Sequence, residues 1–349
     1  MASSALETPS PFVKAPKLRP AKLPDDMEFG LHLPASSSTV TSEDLIRFAR
    51  QAEALGFYCL TIADHVIVPR NISIPYPYTV DGKYPGTGYH LETLTTMSFL
   101  AGVTQRIRFL TSVMIAPYRN PVMTAKMLAS LDVLSQGRVI VGLGVGWMKE
   151  EFENLQAPGF AARGRVTDEY IKVFRELWTN EHPSFNGKYC SFSDIIFLPK
   201  PVQKPTIPIW IGGHSKQAIR RAAQLGDGWH PIGGVPTIPL EPDDMRKDLQ
   251  MLAEYAQAAG RNPKQIRVAL KGSLFDREKQ ATPGRRRRFL GSAEEVASDI
   301  REYQSAGVDT MIFDVRRGCF RVCRSFHSLL RLVPLRDFYK CCQLAAGLR

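Results

Sequence analysis

Residues 107–147 spell out one complete strand, helix and strand, and few folds accommodate such a unit. Residues 107–113 and 138–143 are mostly apolar, the second carrying Val139-Ile140-Val141 in succession. That is the pattern of strands covered on both faces in a parallel sheet. Between them Asn120-Pro121 opens a helix. Proline at the first helical position has no N–H to lose, and Asn120 can cap the exposed donors. Gly137 supplies the stop. The second strand runs out into Gly142, Gly144 and Gly146. In α/β folds ligands bind at that edge of the sheet, where glycine lets the backbone approach a flat or phosphorylated molecule. A nicotinamide-binding reading does not fit, because the G-x-G-x-x-G spacing and the acidic residue about 20 positions on are both missing.

The same alternation runs through the chain. Strands are expected at 28–33, 57–62, 107–113, 138–143, 207–211, 226–230, 266–270 and 309–315. Helices are expected at 41–55, 91–103, 121–136, 166–178, 216–225, 243–259 and 293–306, with residues 323–344 as the last. Asn186-Gly187 between aromatic residues marks a β-hairpin. Eight strand–helix units predict an α/β fold of the (β/α)8 TIM barrel type, with the active site at the strand C-termini. The expected organisation is a disordered leader over 1–26, a barrel over 27–315 and an atypical Arg/Cys-rich tail over 316–349.

Charge tests whether nucleic acid is a partner. The formal net charge is +11, but residues 315–349 hold eight Arg/Lys against one Asp, and Arg285 to Arg288 add four more. The rest of the chain is near neutral, which argues against a nucleic-acid groove built into the fold. Both basic segments read as solvated surface, with anion contact as the alternative. The longest apolar run, around residues 139–148, is far short of the ~20 residues of a membrane helix. The leader has five prolines and no signal-peptide core, so reduced cysteines and a cytoplasmic location are expected, with a transit peptide as the alternative. Cys319, Cys323 and His327 have one-face helical spacing, yet no metal site is expected.

At the predicted rim, Gly212-Gly213-His214-Ser215 runs directly into a helix. Free N–H groups, the positive helix end and the Ser215 hydroxyl make an anion cradle. Asp64-His65 ends the second strand; adjacent strand residues point to opposite faces, so the two are not expected to touch. The Pro/Tyr/Gly-rich stretch 66–90 reads as a lid, with Tyr76, Tyr78, Tyr84 and Tyr89 as its aromatic residues.

The runs TIADHV, TSVMIAPYRNPV, LDVLSQGRVIVGLGVGWMKEEFE, PIWIGGHSKQAIRRAAQLGDGWHP and EYQSAGVDTMIFD resemble, in that order, the bacterial luciferase-like superfamily, especially its branch using the deazaflavin coenzyme F-420. The resemblance spans about residues 28–315. It implies a barrel that binds FMN or F-420 at the rim. His65 would face the ring as the catalytic residue. Asp64, a non-proline cis peptide at Ser112–Val113, Gly144 and Gly146, and the phosphate turn of Gly212, Gly213 and Ser215 would bind the cofactor. Trp147, Tyr76 and Tyr78 would shape the substrate pocket. Two features depart from the family pattern. Sugar-phosphate dehydrogenases carry a glutamate where this chain has Trp147, which removes that proton donor, and the tail differs from the family's final helix.

The function expected on this basis is a flavin- or deazaflavin-dependent oxidoreductase, either a luciferase-like monooxygenase or an F-420-dependent dehydrogenase or reductase. Its substrate would be a small organic molecule. The alternative is a non-catalytic flavin-binding protein. Carbon in place of ring nitrogen N5 prevents ready oxygen activation, so cofactor identity decides between the two chemistries. The expected partners are the substrate and a separate cofactor reductase. A homodimer is allowed, while membrane and nucleic acid are not expected.

Overall fold

The computed structural model describes residues 27–235, 237–274 and 286–315. The leader over 1–26 and the tail over 316–349, including the helix expected at 323–344, lie outside the described residues. Eight strands form the barrel: β1 (Glu28–His32), β2 (Cys59–Ile62), β3 (Arg108–Thr111), β4 (Val139–Gly144), β5 (Ile209–Gly212), β6 (Gly228–His230), β7 (Arg267–Leu274) and β8 (Thr310–Val315). Each pairs in parallel with the next, and β8 returns to β1 with Gly30 beside Ile312. Closure therefore comes from strand pairing complete by Val315.

Eight helices accompany the strands among the described residues: α1 (Ser42–Ala54), α2 (Thr93–Ala101), α3 (Pro121–Leu134), α4 (Lys149–Asn154), α5 (Arg163–Thr179), α6 (Lys216–Leu225), α7 (Pro242–Ala258) and α8 (Ala293–Ser305). Their starts follow the capping chemistry. Asn120 accepts from the N–H groups of Val122 and Met123 ahead of α3, and Thr41 and Ser292 complete capping boxes at α1 and α8. The helix expected from 91 is shorter, because the Glu92 side chain accepts from Thr95 N and acts as the cap. The six-residue α4 was not anticipated, being too short to show a period. The hairpin pairs Phe185–Asn186 with Ser191–Phe192.

Along each strand, alternate residues face the lumen. Cys59, Leu110, Ile140, Trp210, Ala269 and Ile312 pack there as one buried cluster. Gly30 and Gly228 complete it, since a Cβ at Gly30 would lie 2.7 Å from Cys59 Sγ and one at Gly228 2.5 Å from Trp210. Two residues further along, the same face carries His32, Thr61, Ser112, Gly142, Gly212, His230, Lys271 and Asp314. The lumen thus turns from apolar to polar one step below the rim.

Arg288 departs from the reading of the 285–288 run as solvated surface, while Arg286 stays exposed as it pairs and Arg285 lies outside the described residues. Arg286 and Arg288 both pair with Asp299, which is 0% exposed, at 2.6 and 2.8 Å, and Arg288 also reaches Glu241 and Glu302. The Phe289 N–H bonds the same carboxylate. These arginines tie α8 to Glu241 at the start of α7.

Candidate active site

Asp64 and His65 leave β2 in opposite directions, as alternation requires. Asp64 is buried. Its carboxylate takes both terminal nitrogens of Arg119 (2.7 and 2.8 Å), the Ile115 N–H (2.9 Å) and the Thr93 hydroxyl (3.1 Å). It thereby ties the chain after β3 to the start of α2. Burial opposes the charge on Arg119, but its bonds to Asp64 and Glu92 outweigh that and hold its pKa above the ordinary value.

His65 turns the other way. Its Nδ1 donates to Glu151 at 2.8 Å, and its ring lies 4.9 Å from that of His90 and 5.3 Å from that of Tyr84. Glu151, 0% exposed, also accepts from Tyr118 Oη (2.9 Å), Val66 N (2.9 Å) and Ile67 N (3.3 Å). Sequence reasoning missed this carboxylate, although the spacing held a signal. Four residues after Trp147 and in the first turn after the glycine-rich strand end, it falls next to the rim.

The lid folds over this corner. Tyr76 packs edge-on against Tyr78, Tyr84 and Trp147 at 5.1–5.3 Å, and Tyr84 lies 5.8 Å from Trp147. The Tyr84 hydroxyl meets His90 Nε2 at 2.9 Å. Burial first, then the neighbouring His65, push the His90 pKa down to about 4. Ser73 is bonded to Glu150 through both its N–H and its hydroxyl, and Thr237 Oγ1 donates to Pro77 O at 2.8 Å. Tyr89 is 39% exposed and stands outside the ring cluster.

The Ser112–Val113 peptide is cis, at the position the resemblance implies. Val113 fills the space left by two glycines: a Cβ at Gly144 would lie 2.5 Å from its Cγ2, and one at Gly212 2.7 Å from its Cγ1. Packing against Val113 is therefore one direct reason for glycine at both positions. Gly146, with φ +84°, is confined by Ile115 and Phe152.

Across the barrel, the 212–215 turn opens α6. Gly213 has φ +98°, Ser215 Oγ accepts from Ala218 N, and the buried Trp229 Nε1 donates to Gly213 O at 2.7 Å, fixing the turn. Helix geometry leaves the first-turn N–H groups of Lys216 and Gln217 without intrahelical partners. His214 Nδ1 is buried with no partner among the described residues, and burial lowers its pKa. An orphaned polar atom beside open N–H groups suits an anionic group with several acceptor oxygens. No cluster of metal-ligating side chains occurs among the described residues, and none of their helices is long and apolar enough to cross a membrane.

Residues 27–282 match the profile of the family described as luciferase-like monooxygenase. An uncharacterised protein of Mycobacterium tuberculosis is 34% identical over 235 residues, covering 66% of this chain and 78% of that protein. The F420-dependent glucose-6-phosphate dehydrogenase of Amycolatopsis mediterranei is 30% identical over 198 residues, 56% of this chain and 55% of that enzyme. The FMNH2-dependent dimethylsulfone monooxygenase of Pseudomonas putida is 31% identical over 158 residues, 44% and 43% of the two chains. Among solved structures, an F420-dependent secondary alcohol dehydrogenase in complex with an F420-acetone adduct superimposes with a TM-score of 0.70 at 18% identity. That match covers 89% of this chain and 100% of the other.

Proposed function

The chain belongs to the luciferase-like monooxygenase family, and from that premise we propose an oxidoreductase that holds coenzyme F-420 or FMN at the rim and acts on a small organic substrate. F-420 is the first candidate and FMN the second. The observation that carries the reading is the 212–215 turn: His214 Nδ1 buried without a partner among the described residues, Gly213 in the left-handed region, and the open start of α6. That donor set fits the phosphate group that F-420 and FMN share. When bound, the reduced cofactor supplies the hydride, or with FMN the reactivity toward oxygen, that no side chain carries.

The protein's own part is orientation, water exclusion and proton handling. Gly213, Ser215 and the first N–H groups of α6 hold the phosphate, with Trp229 fixing their backbone. Ser112, Val113, Gly144 and Gly146 form the support on which the ring rests. Glu151 takes the proton-bearing Nδ1 of His65, which presents Nε2 as a base or hydrogen-bond acceptor toward the substrate; such a group contributes typically 10²–10⁴-fold. Trp147, Tyr76 and Tyr78, with Tyr84, wall the substrate side. Asp64 acts at one remove, through Arg119 and the Ile115 backbone. A separate reductase supplies the reduced cofactor.

Titration of the purified protein with oxidised and reduced F-420 and FMN tests this reading, with micromolar binding of F-420 expected. A clear preference for FMN with oxygen consumption overturns the choice of F-420, and binding of neither overturns the whole reading. With cofactor bound, His65→Ala should lower turnover at least 100-fold at nearly unchanged cofactor affinity. Unchanged turnover removes the catalytic role. A bound cofactor with no substrate-dependent oxidation leaves a flavin-binding protein without turnover.

A further inference from the structure

Side chains from four strands and from Ser112, just past β3, join across the polar floor of the lumen. Lys271 Nζ lies 3.2 Å from His32 Nδ1 and 3.4 Å from Ser112 Oγ; Ser112 Oγ is 3.0 Å from His230 Nε2, His230 Nδ1 is 2.7 Å from Ala269 O, and His32 Nδ1 is 2.8 Å from Thr61 Oγ1. The bond directions follow from which atoms lack acceptors or protons. A carbonyl only accepts, so His230 carries its proton on Nδ1 and its Nε2 accepts from the Ser112 hydroxyl. An ammonium only donates, so Lys271 gives to the Ser112 oxygen and to a bare His32 Nδ1.

We infer that Lys271 is the charged centre of this floor and that it favours the reduced, negatively charged form of the ring of the cofactor proposed above. The inference rests on that proposal. Its geometric ground is the position of Lys271: on β7, one lumen step above the apolar plug, bonded directly to Ser112, the residue whose carbonyl carbon begins the Ser112–Val113 peptide. A cation below a bound ring acts in a site with little water, where its influence on the ring's charge is strong. Among the described residues, the other titratable groups on this lumen-facing set are His32, His230 and Asp314. Burial keeps His230 neutral, its pKa pushed down to about 4 with Lys271 adding to the effect. Asp314 stands two residues beyond Ile312 on the same lumen face of β8 and works in the opposite sense.

The test is the ratio of affinities for reduced and oxidised cofactor, measured for F-420 and FMN with wild-type protein, Lys271→Gln, Lys271→Arg and Asp314→Asn. Lys271→Gln should lower the reduced-over-oxidised ratio at least tenfold, a fall of about 30 mV in the two-electron midpoint potential of the bound cofactor. Lys271→Arg should keep the ratio, and Asp314→Asn should raise it. An unchanged ratio in Lys271→Gln overturns the inference. So does an equal loss of both affinities, which would mark Lys271 as packing. If Lys271→Gln does not fold, Asp314→Asn decides alone, and an unchanged ratio there overturns it. Binding of neither form by the wild type removes the cofactor proposal, and this inference with it; binding of the oxidised form with no charge-dependent ratio removes this inference only.

Discussion

Glu151→Gln is the sharpest perturbation of the site, since it keeps the shape and changes one atom's chemistry. The carboxylate accepts four hydrogen bonds while fully buried: His65 Nδ1 and Tyr118 Oη at one oxygen, Val66 N and Ile67 N at the other. Glutamine has one carbonyl oxygen. If it serves Val66 and Ile67, an NH2 group faces His65 and Tyr118, both of which now donate. Bonds to a charged group contribute about 1.5–3 kcal/mol each. Tyr118 can turn to accept and His65 can change tautomer, recovering part of two such bonds, so the net cost is about 2–3 kcal/mol. At roughly 2–4 °C per kcal/mol, the melting temperature should fall by about 5–10 °C. The tautomer change adds a signature that plain destabilisation lacks. His65 Nε2 becomes a donor, so turnover at a temperature where the variant is folded should drop by about 10²-fold, with cofactor affinity nearly kept. Thermal melts, cofactor titration and steady-state rates on the same preparation give all three quantities. A melting temperature within 2 °C of wild type by such measurement, roughly under 1 kcal/mol, would refute the reasoning, because two bonds to a buried carboxylate cannot be exchanged so cheaply.

Three other outcomes are expected. Asp64→Asn breaks a buried bidentate pair with Arg119 and should cost about 3–5 kcal/mol in urea unfolding, while turnover per folded molecule falls less than in His65→Ala; the reverse order would exchange the two roles. His230 should make stability depend on pH. Its folded pKa of about 4 lies below the ordinary value, so its contribution is present in full above pH ~6.5 and is lost as pH falls toward 4, up to roughly 3 kcal/mol. His230→Asn should flatten that part of the pH profile, and an unchanged slope would count against the buried neutral histidine. Finally, Gly213→Asp and Gly213→Ala carry the same backbone penalty at φ +98°, about 1–2 kcal/mol. The aspartate alone places negative charge beside the phosphate turn, so it should lose far more cofactor affinity than the alanine in calorimetric titration. Equal losses would mean that the anion sits elsewhere.

Much of the architecture is local and was therefore legible in the chain. Periodicity, the Asn120-Pro121 start and strand-end glycines are properties of a few neighbouring residues, and they placed all eight barrel strands in order. Alternation alone also separates Asp64 from His65. The same alternation puts His32, Thr61, Ser112, His230 and Asp314 of the expected strands at matching positions, whereas Lys271 lies one residue past the expected end of its strand, which runs on to Leu274.

Pairings across long stretches of chain were a different matter. Glu151 meets His65 at a separation of 86 residues, and Lys271 meets His32 across 239. Arg288 read as surface charge until Asp299 was seen buried beside it. In each case the residue type announces a charge or a donor, but its partner is chosen by barrel closure, which brings distant strands to one rim. The same holds for Gly144 and Gly212. Sequence shows that a side chain is missing there, and only the packed barrel shows that Val113 occupies the space. The chain by itself thus determined where strands and helices begin, through local hydrogen bonding and alternation. Which charges are neutralised, which histidines are neutral and what fills each gap were decided by tertiary structure, because burial and pair distance set those energies and neither exists until the sheet has closed.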